Sequence, residues 1–202
     1  MNAYLDGKPL TLPQPGTMAG ALRAALADAE RRGRVIVEVQ IDGAKAPDSL
    51  LEEPPEEAVG SEVRLLSVEP VALVRTTLMD AADALESARE RQGRSAELIH
   101  AGKVEDALRP LSEAIETWQT VRDAVEKSAA MLNLRLSELK AGTPGMEALV
   151  ESLSGRLSEV RRALAGEDWS ALADVLAYDM GDQADRWKSA LIAAAEGLRP
   201  AR

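Results

Sequence analysis

The sequence predicts an α+β protein in which a small mixed β-sheet with one helix precedes an all-α antiparallel four-helix bundle. Before Glu69 and Pro70 the apolar residues form short runs bounded by Asp-Gly pairs, which are typical of strands joined by tight turns. After that point they recur every three or four residues over long stretches, which is typical of amphipathic helices. This change of period divides the 202 residues into two predicted domains, residues 1–69 and 70–202.

The N-terminal domain is predicted to open with a β-hairpin within residues 3–12. Asp6-Gly7 suits the positive backbone angles of a type I′ turn between two short strands. A helix is predicted to follow, with Thr17 as its N-cap and Gly33 at its end.

The second half of the domain is predicted to supply the remaining strands. Residues 34–42 are rich in valine and isoleucine, which favour strands, and they end in a second Asp-Gly pair. A final strand is predicted over residues 63–68. The polar segment between these strands, which holds Glu52, Glu53, Glu56 and Glu57, is predicted to be an exposed and mobile loop.

This order of hairpin, helix, strand, loop and final strand resembles the ubiquitin-like β-grasp fold. The resemblance covers about residues 1–70, depends on element order and turn placement, and implies a four- or five-stranded mixed sheet around one helix. Another small α+β sheet with one covering helix is the alternative. Because Val68 continues into the next domain instead of a Gly-Gly tail, conjugation of the ubiquitin type is not expected.

The first two helices of the C-terminal domain are predicted because apolar residues recur every three or four positions both before and after Gly102. The first runs from residue 71 to His100, and the second runs from Val104 to Leu139. Pro110 lies inside the second helix and predicts either a kink or a short helix over residues 104–109 followed by a restart.

Two further helices are predicted after residue 142. Thr143 is the predicted cap of the third helix, with Pro144 at its first position, and Gly166 is its predicted end. The fourth helix is predicted from Trp169 to Leu198. Short connections favour an antiparallel bundle, because each apolar face can then be buried only against a neighbouring helix. Through its final helix, with Leu176, Tyr178, Asp179 and Trp187, the whole chain also looks similar to uncharacterised bacterial proteins that join a small β module to helices.

Composition excludes several classes of site. The chain has no cysteine and one histidine, so disulfides, thiolate metal ligands and a cysteine nucleophile are absent. With 24 basic and 34 acidic residues the net charge is −10, which disfavours nucleic-acid binding and anionic membranes. No apolar run approaches the ~20 residues of a membrane span and no secretory signal is evident, so a cytoplasmic location is expected.

Two carboxylate groupings are candidate metal sites. Glu97 and His100 have the Glu-x-x-His spacing of carboxylate-bridged di-iron proteins, but the chain lacks a second histidine, and His100 also suits a helix C-terminus. Asp179, Asp182 and Asp185 could gather around Mg²⁺ or Ca²⁺, but a solvated acidic face with an Asp182–Arg186 ion pair is the favoured explanation. No catalytic residue, metal ligand or cofactor is therefore predicted.

The remaining candidates are surfaces. Trp118, Trp169 and Trp187 lie on predicted buried faces, where packing is favoured over ligand stacking. The acidic residues within 52–57 could bind a basic partner or only keep a loop solvated.

The expected function is non-enzymatic protein–protein interaction, as an adaptor, scaffold or small helical chaperone. The shape is similar to that of secretion and flagellar export chaperones. A homo-oligomeric structural protein is the first alternative, and a carboxylate-only metal-binding protein or enzyme is the second. The partner is expected to be a protein or a second copy of the chain, with no nucleic acid and no membrane.

Overall fold

The chain is an α+β protein whose small sheet precedes a region made of helices. The computed structural model describes residues 1–198, and the chain separates into two compact units, Met1–Leu73 and Val74–Arg202. The five strands are β1 (Asn2–Leu5), β2 (Lys8–Pro9), β3 (Val35–Ile41), β4 (Ala44–Lys45) and β5 (Glu62–Val68). They form one mixed sheet in the order β2-β1-β5-β3-β4, in which β1 and β5 are parallel and the other neighbours antiparallel.

One helix, α1 (Met18–Arg31), contributes to the core of the N-terminal unit, as the sequence predicts. Thr17 is its N-cap, and the Thr17 hydroxyl accepts a hydrogen bond from the backbone N–H of Gly20. Ala25 and Ala29 are fully buried and belong to the same apolar cluster as Val63 and Leu65 of β5. Small residues on the inner face of α1 allow the helix to approach the sheet closely.

The two Asp-Gly turns hold both ends of the central strand β5 through their aspartate side chains. Asp6, after β1, accepts hydrogen bonds from the backbone N–H of Ser67 at 2.7 Å and from the Ser67 hydroxyl at 2.7 Å. Asp42, after β3, accepts from the Ser61 hydroxyl at 2.6 Å and from the backbone N–H of Glu62 at 2.9 Å. Each carboxylate therefore serves a tight turn and also fixes a strand that is distant in sequence.

These hydrogen bonds explain the acidity of both carboxyl groups. Burial raises the pKa of Asp6, but the hydrogen bonds from Ser67 and Arg32 together with the Arg32 charge outweigh that effect and lower it below the usual 3.8. Hydrogen bonds from Ser61 and the Glu62 N–H lower the pKa of Asp42. Both side chains are thus stabilised in their ionised form in the folded state.

The C-terminal unit consists of long helices that share one apolar core. The helices are α3 (Pro70–His100), α4 (Val104–Met131), α5 (Met146–Ala165), α6 (Trp169–Asp174) and α7 (Met180–Gly197). A π-helical turn over Val175–Asp179 joins α6 to α7, so this segment remains helical from Trp169 to Gly197. A 3₁₀ turn over Leu136–Glu138 precedes α5.

Two tryptophans occupy the centre of the helical core. Trp118 on α4 and Trp187 on α7 are completely buried, and their rings meet edge to face with centroids 5.8 Å apart. The Trp118 indole N–H donates to Oε1 of Gln92 on α3 at 3.1 Å. Within residues 1–198, the Gln92 Nε2 and Trp187 Nε1 atoms are buried without a protein hydrogen-bond partner. The two indoles therefore differ in their polar environment although their packing is similar.

Helix α4 ends earlier than the sequence predicts. The apolar spacing continues through Leu139, but α4 ends at Met131 because Asn133 adopts a positive φ of 52°. The backbone N–H of Leu134 then bonds to the carbonyl of Ala129, which satisfies the helix end in the Schellman pattern. Leu139 is still buried, but it lies beyond the 3₁₀ turn and not on α4.

Two other details of the helix predictions are decided by the structure. Pro110 lies inside α4 without ending it, so of the two predicted outcomes the short helix over residues 104–109 with a restart does not occur. Its missing N–H removes only the bond to the carbonyl of Asp106, within the second turn of a helix that has packing along its whole length. Gly145, not Thr143, is the N-cap of α5, and Pro144 therefore precedes the helix instead of beginning it.

Candidate protein-binding groove

A groove of about 550 Å³ opens within the N-terminal unit between α1, β3 and the segment that follows β4. Its size lies within the roughly 300–1,000 Å³ of ordinary ligand pockets. Apolar side chains form most of the lining and charged side chains stand at its rim: Ala19, Leu22, Arg23, Leu26, Ile36, Val37, Glu38, Val39, Lys45, Ala46, Asp48, Leu51, Pro54 and Glu56.

One wall is the face of α1 that turns away from the centre of the sheet. Leu22 and Leu26 are four residues apart and therefore lie on the same side of the helix. Leu22 packs partly against the core, whereas Leu26 remains 55% exposed. Leu26 thus belongs to the groove more than to the interior.

The opposite wall is a segment that was predicted from its polar sequence to be a mobile loop. It begins with the short helix α2 (Asp48–Glu52), which the sequence did not predict, and Leu51 on α2 is 36% exposed. The carbonyls of Pro55 and Glu57 accept hydrogen bonds from the backbone N–H groups of Ala19 and Met18. The first turn of α1 therefore needs this wall to satisfy its free N–H groups.

The floor of the groove includes an edge of the sheet. Strand β4 pairs with Gln40 and Ile41 of β3, and one more bond joins the Ala46 N–H to the Val39 carbonyl. Beyond that point, toward the N-terminus of β3, β5 still pairs with its inner edge, whereas its outer edge borders the groove and no strand in the part of the chain that the structure describes. A β-bulge between Ile36 and Glu38 places one extra residue, Val37, in this stretch, and Val37 is 46% exposed.

The groove concentrates exposed apolar surface. Eight large apolar side chains are exposed within residues 1–198, and Leu26, Val37 and Leu51 line this one groove. Single exposed apolar residues are normal on a protein surface, but a concave cluster of them is typical of a binding site.

The charges at the rim are unequal on the two walls. Residues 46–62 contain six acidic residues and no lysine or arginine: Asp48, Glu52, Glu53, Glu56, Glu57 and Glu62. Glu56 pairs with Arg23 at 3.0 Å, and both side chains are about two-thirds exposed, so this pair contributes little stability. No ion pair within residues 1–198 involves four other acidic residues of this segment, Asp48, Glu52, Glu53 and Glu57. The wall formed by residues 48–57, called the α2 wall below, is therefore strongly negative.

The Glu97–His100 candidate is not assembled into a site. His100 is the exposed last residue of α3, where a positive charge interacts favourably with the helix dipole. Glu97 is also exposed and pairs with Arg94 at 3.2 Å.

The three aspartates of the second candidate face different partners. Asp179 pairs with Arg156 at 3.4 Å and Asp185 pairs with Arg89 at 3.0 Å. Asp182 is exposed, and the predicted pair with Arg186 is absent from residues 1–198. No group of three or more potential metal-binding side chains occurs among the residues that the structure covers.

The tryptophan prediction is confirmed for two of its three members. Trp118 and Trp187 are buried, whereas Trp169 is half-buried against the helical core. The acidic segment was recognisable from the sequence, but Leu26, Val37 and Leu51 were not predicted as site residues. The pair Leu50-Leu51 inside an otherwise acidic stretch was the only local signal of a short amphipathic element there.

Comparison with known proteins bears on the helical unit. Residues 76–190 match a family described as a domain of unknown function (DUF8042), and this match covers more than half of the chain. The chain therefore belongs to that family. No curated protein and no solved structure matches the chain. None of the helices within residues 1–198 has the combined length and apolar character that crossing a membrane requires.

Proposed function

We propose that this protein acts by binding another protein, as a non-enzymatic adaptor, scaffold or small helical chaperone, and that the groove is its contact surface. The observation that carries the proposal is the convergence of Leu26, Val37 and Leu51 from three different elements on one concave surface. The chemistry of such a surface is recognition of apolar side chains, because it offers contact area and exclusion of water.

The proposal includes a ubiquitin-like β-grasp architecture for the N-terminal unit. A mixed sheet in the order β2-β1-β5-β3-β4 with parallel β1 and β5, together with one main helix in its core, supports this assignment. In such a module the groove is built on the rigid sheet and helix, which suits a surface that must keep its shape for a partner.

For the helical unit we propose an antiparallel four-helix bundle formed by α3, α4, α5 and the continuous α6–α7 segment. Contacts between facing helices support it. Glu86 on α3 pairs with Lys188 on α7 at 2.9 Å, and Arg91 on α3 pairs with Glu113 on α4 at 3.3 Å. The Gln183 amide on α7 donates to the Leu149 carbonyl on α5 at 3.2 Å.

The groove can be tested by changing its exposed leucines. We expect the double variant Leu26→Gln with Leu51→Gln to lose a protein that the wild type captures in stoichiometric amount from extracts of the producing cells. Both side chains are exposed, so the substitutions remove contact area at the surface and leave the core intact. The measurement is affinity capture with the tagged full-length chain, followed by quantitative mass spectrometry.

The matched control is Leu66→Gln with Leu108→Gln, since both leucines are similarly exposed but lie outside the groove. This control is expected to capture the partner as the wild type does. Equal capture by all three proteins, or no stoichiometric partner for the wild type, would contradict the proposal.

The homo-oligomeric alternative has one observation in its favour. Met79 on α3 and Leu108 and Met131 on α4 are exposed apolar residues on long helices. However, Leu108 and Met131 are about 35 Å apart along α4 at 1.5 Å per residue, so they do not form one patch. The carboxylate-only metal protein or enzyme remains a prediction of the sequence, with Asp179 and Asp185 each engaged by an arginine.

A further inference from the structure

The groove has three properties that together describe its occupant. It offers space for apolar side chains, a strand edge that borders it, and a wall that carries uncompensated negative charge. Each property limits the chemistry of the segment that could fill it.

The edge of β3 favours an extended occupant. Within residues 1–198 no strand pairs with residues 35–38 on the outer side of β3, and residues 36–38 line the groove, so a chain in this position lies beside a β-strand. A segment added to a sheet edge gains main-chain hydrogen bonds, and alternate side chains point to one face. Four residues of edge correspond to about 13 Å at 3.3 Å per residue, which accommodates two alternate apolar side chains.

The charge of the opposite wall favours a basic occupant. Asp48, Glu52 and Glu53 are exposed on or next to α2 and have no ion pair within residues 1–198. The basic residues of the lining are Lys45, which is exposed, and Arg23, which is already paired with Glu56. A partner with lysine or arginine next to its apolar residues would therefore be attracted by the negative charge of this wall, and an acidic partner would be repelled.

We propose that the groove binds an extended segment of another protein in which alternating apolar side chains are flanked by lysine or arginine. This inference rests on the proposed function and names the chemistry of the partner. Leu26, Val37 and Leu51 contact the apolar side chains, the β3 edge bonds the backbone, and the α2 wall attracts the flanking cations.

The test uses a fluorescein-labelled peptide of about ten residues, with two lysines at each end of an alternating valine and threonine centre, a length sufficient to span the edge. Fluorescence anisotropy with the full-length protein is expected to show saturable binding. The same peptide with glutamates in place of the lysines is expected to bind at least about tenfold more weakly. The Leu26→Gln, Leu51→Gln double variant is expected to bind the basic peptide about tenfold more weakly than the wild type.

Charge reversal on the protein gives a second arm. Glu52→Lys with Glu53→Lys is expected to weaken binding of the basic peptide about tenfold at low salt and much less at high salt. Glu30→Lys with Glu90→Lys is the control, because it changes the net charge equally at exposed positions that are neither on nor next to α2. A similar loss for both pairs would show a non-specific charge effect and overturn the proposal.

Two results would separate this inference from the function on which it rests. Tighter binding of the glutamate-flanked peptide, or of a helix-forming peptide with the same apolar and basic residues, would overturn the proposed chemistry of the partner. If that binding were weakened by Leu26→Gln, the groove would still be a binding surface. Absence of binding by the basic peptide, or binding that the groove variants leave unchanged, would also overturn the inference. The capture experiment with cell extracts would then decide the proposed function independently.

Discussion

Replacement of Trp118 by alanine is expected to lower the free energy of unfolding of the helical unit by about 3–5 kcal/mol. The indole is fully buried between helices, so its removal leaves a cavity that the long helices cannot readily fill. It would also leave the buried Gln92 amide without its remaining hydrogen bond. Chemical denaturation followed by circular dichroism measures the change, and a loss below about 1 kcal/mol would contradict the packing described for this core.

A matched pair of phenylalanine variants separates packing from hydrogen bonding at the same place. Trp118→Phe removes the donor to Gln92, whereas Trp187→Phe removes an indole N–H that has no protein partner within residues 1–198. Both variants lose similar volume. Trp118→Phe is therefore expected to be the more destabilising by about 1 kcal/mol, the net value of a typical hydrogen bond. Equal losses would mean that the Gln92 bond contributes nothing.

Replacement of Asp6 by alanine is expected to destabilise the N-terminal unit by about 1–3 kcal/mol. The backbone N–H of Ser67, in a residue that is only 5% exposed, would lose its acceptor, and Arg32 would lose the ion pair at 2.9 Å. Alanine is also less suited than aspartate to the positive φ of 51° at this position. Hydrogen exchange of the amides in β5, compared between wild type and variant, measures the effect on this unit separately from the helices.

The pH dependence of stability tests the role of the Asp6 carboxylate independently of the alanine variant. Because the pKa of Asp6 is lowered by folding, its contribution to stability is fully present above the usual value of 3.8 and is lost as the pH falls through the lower folded-state pKa. Asp6→Asn keeps a residue that tolerates positive φ but cannot ionise. Its stability is expected to fall less steeply than that of the wild type below pH 3.8, and parallel curves would exclude Asp6 as a titrating contributor.

The sequence predicted those parts of the fold that depend on local signals. The period of the apolar residues located β3, β5, α1, α3 and α5 closely, since burial of one face imposes that period directly. It misplaced the end of α4, because Leu136 and Leu139 keep the spacing of the helix after the backbone has already turned at Asn133. Asparagine at this position was the available signal, since it tolerates positive φ better than most residues.

The groove was not predictable in the same way. It requires a bulge at Val37, a five-residue helix that contains Leu51, and hydrogen bonds that hold the α2 wall to the start of α1. None of these leaves a periodic signal in the sequence. Similarly, the Asp-Gly pairs predicted the turns. The hydrogen bonds from β5 and the residue before it to Asp6 and Asp42 were not predictable, because they depend on which strands are neighbours in the sheet.

The most direct test of the groove as the contact surface is hydrogen exchange of the full-length protein alone and in complex with the protein that it captures. Slower exchange is predicted for the amides of residues 35–38 on β3 and 48–56 on the opposite wall, because an occupant of the groove would shield both. Protection confined to the helices after residue 74, with unchanged exchange in both of these segments, would contradict the account.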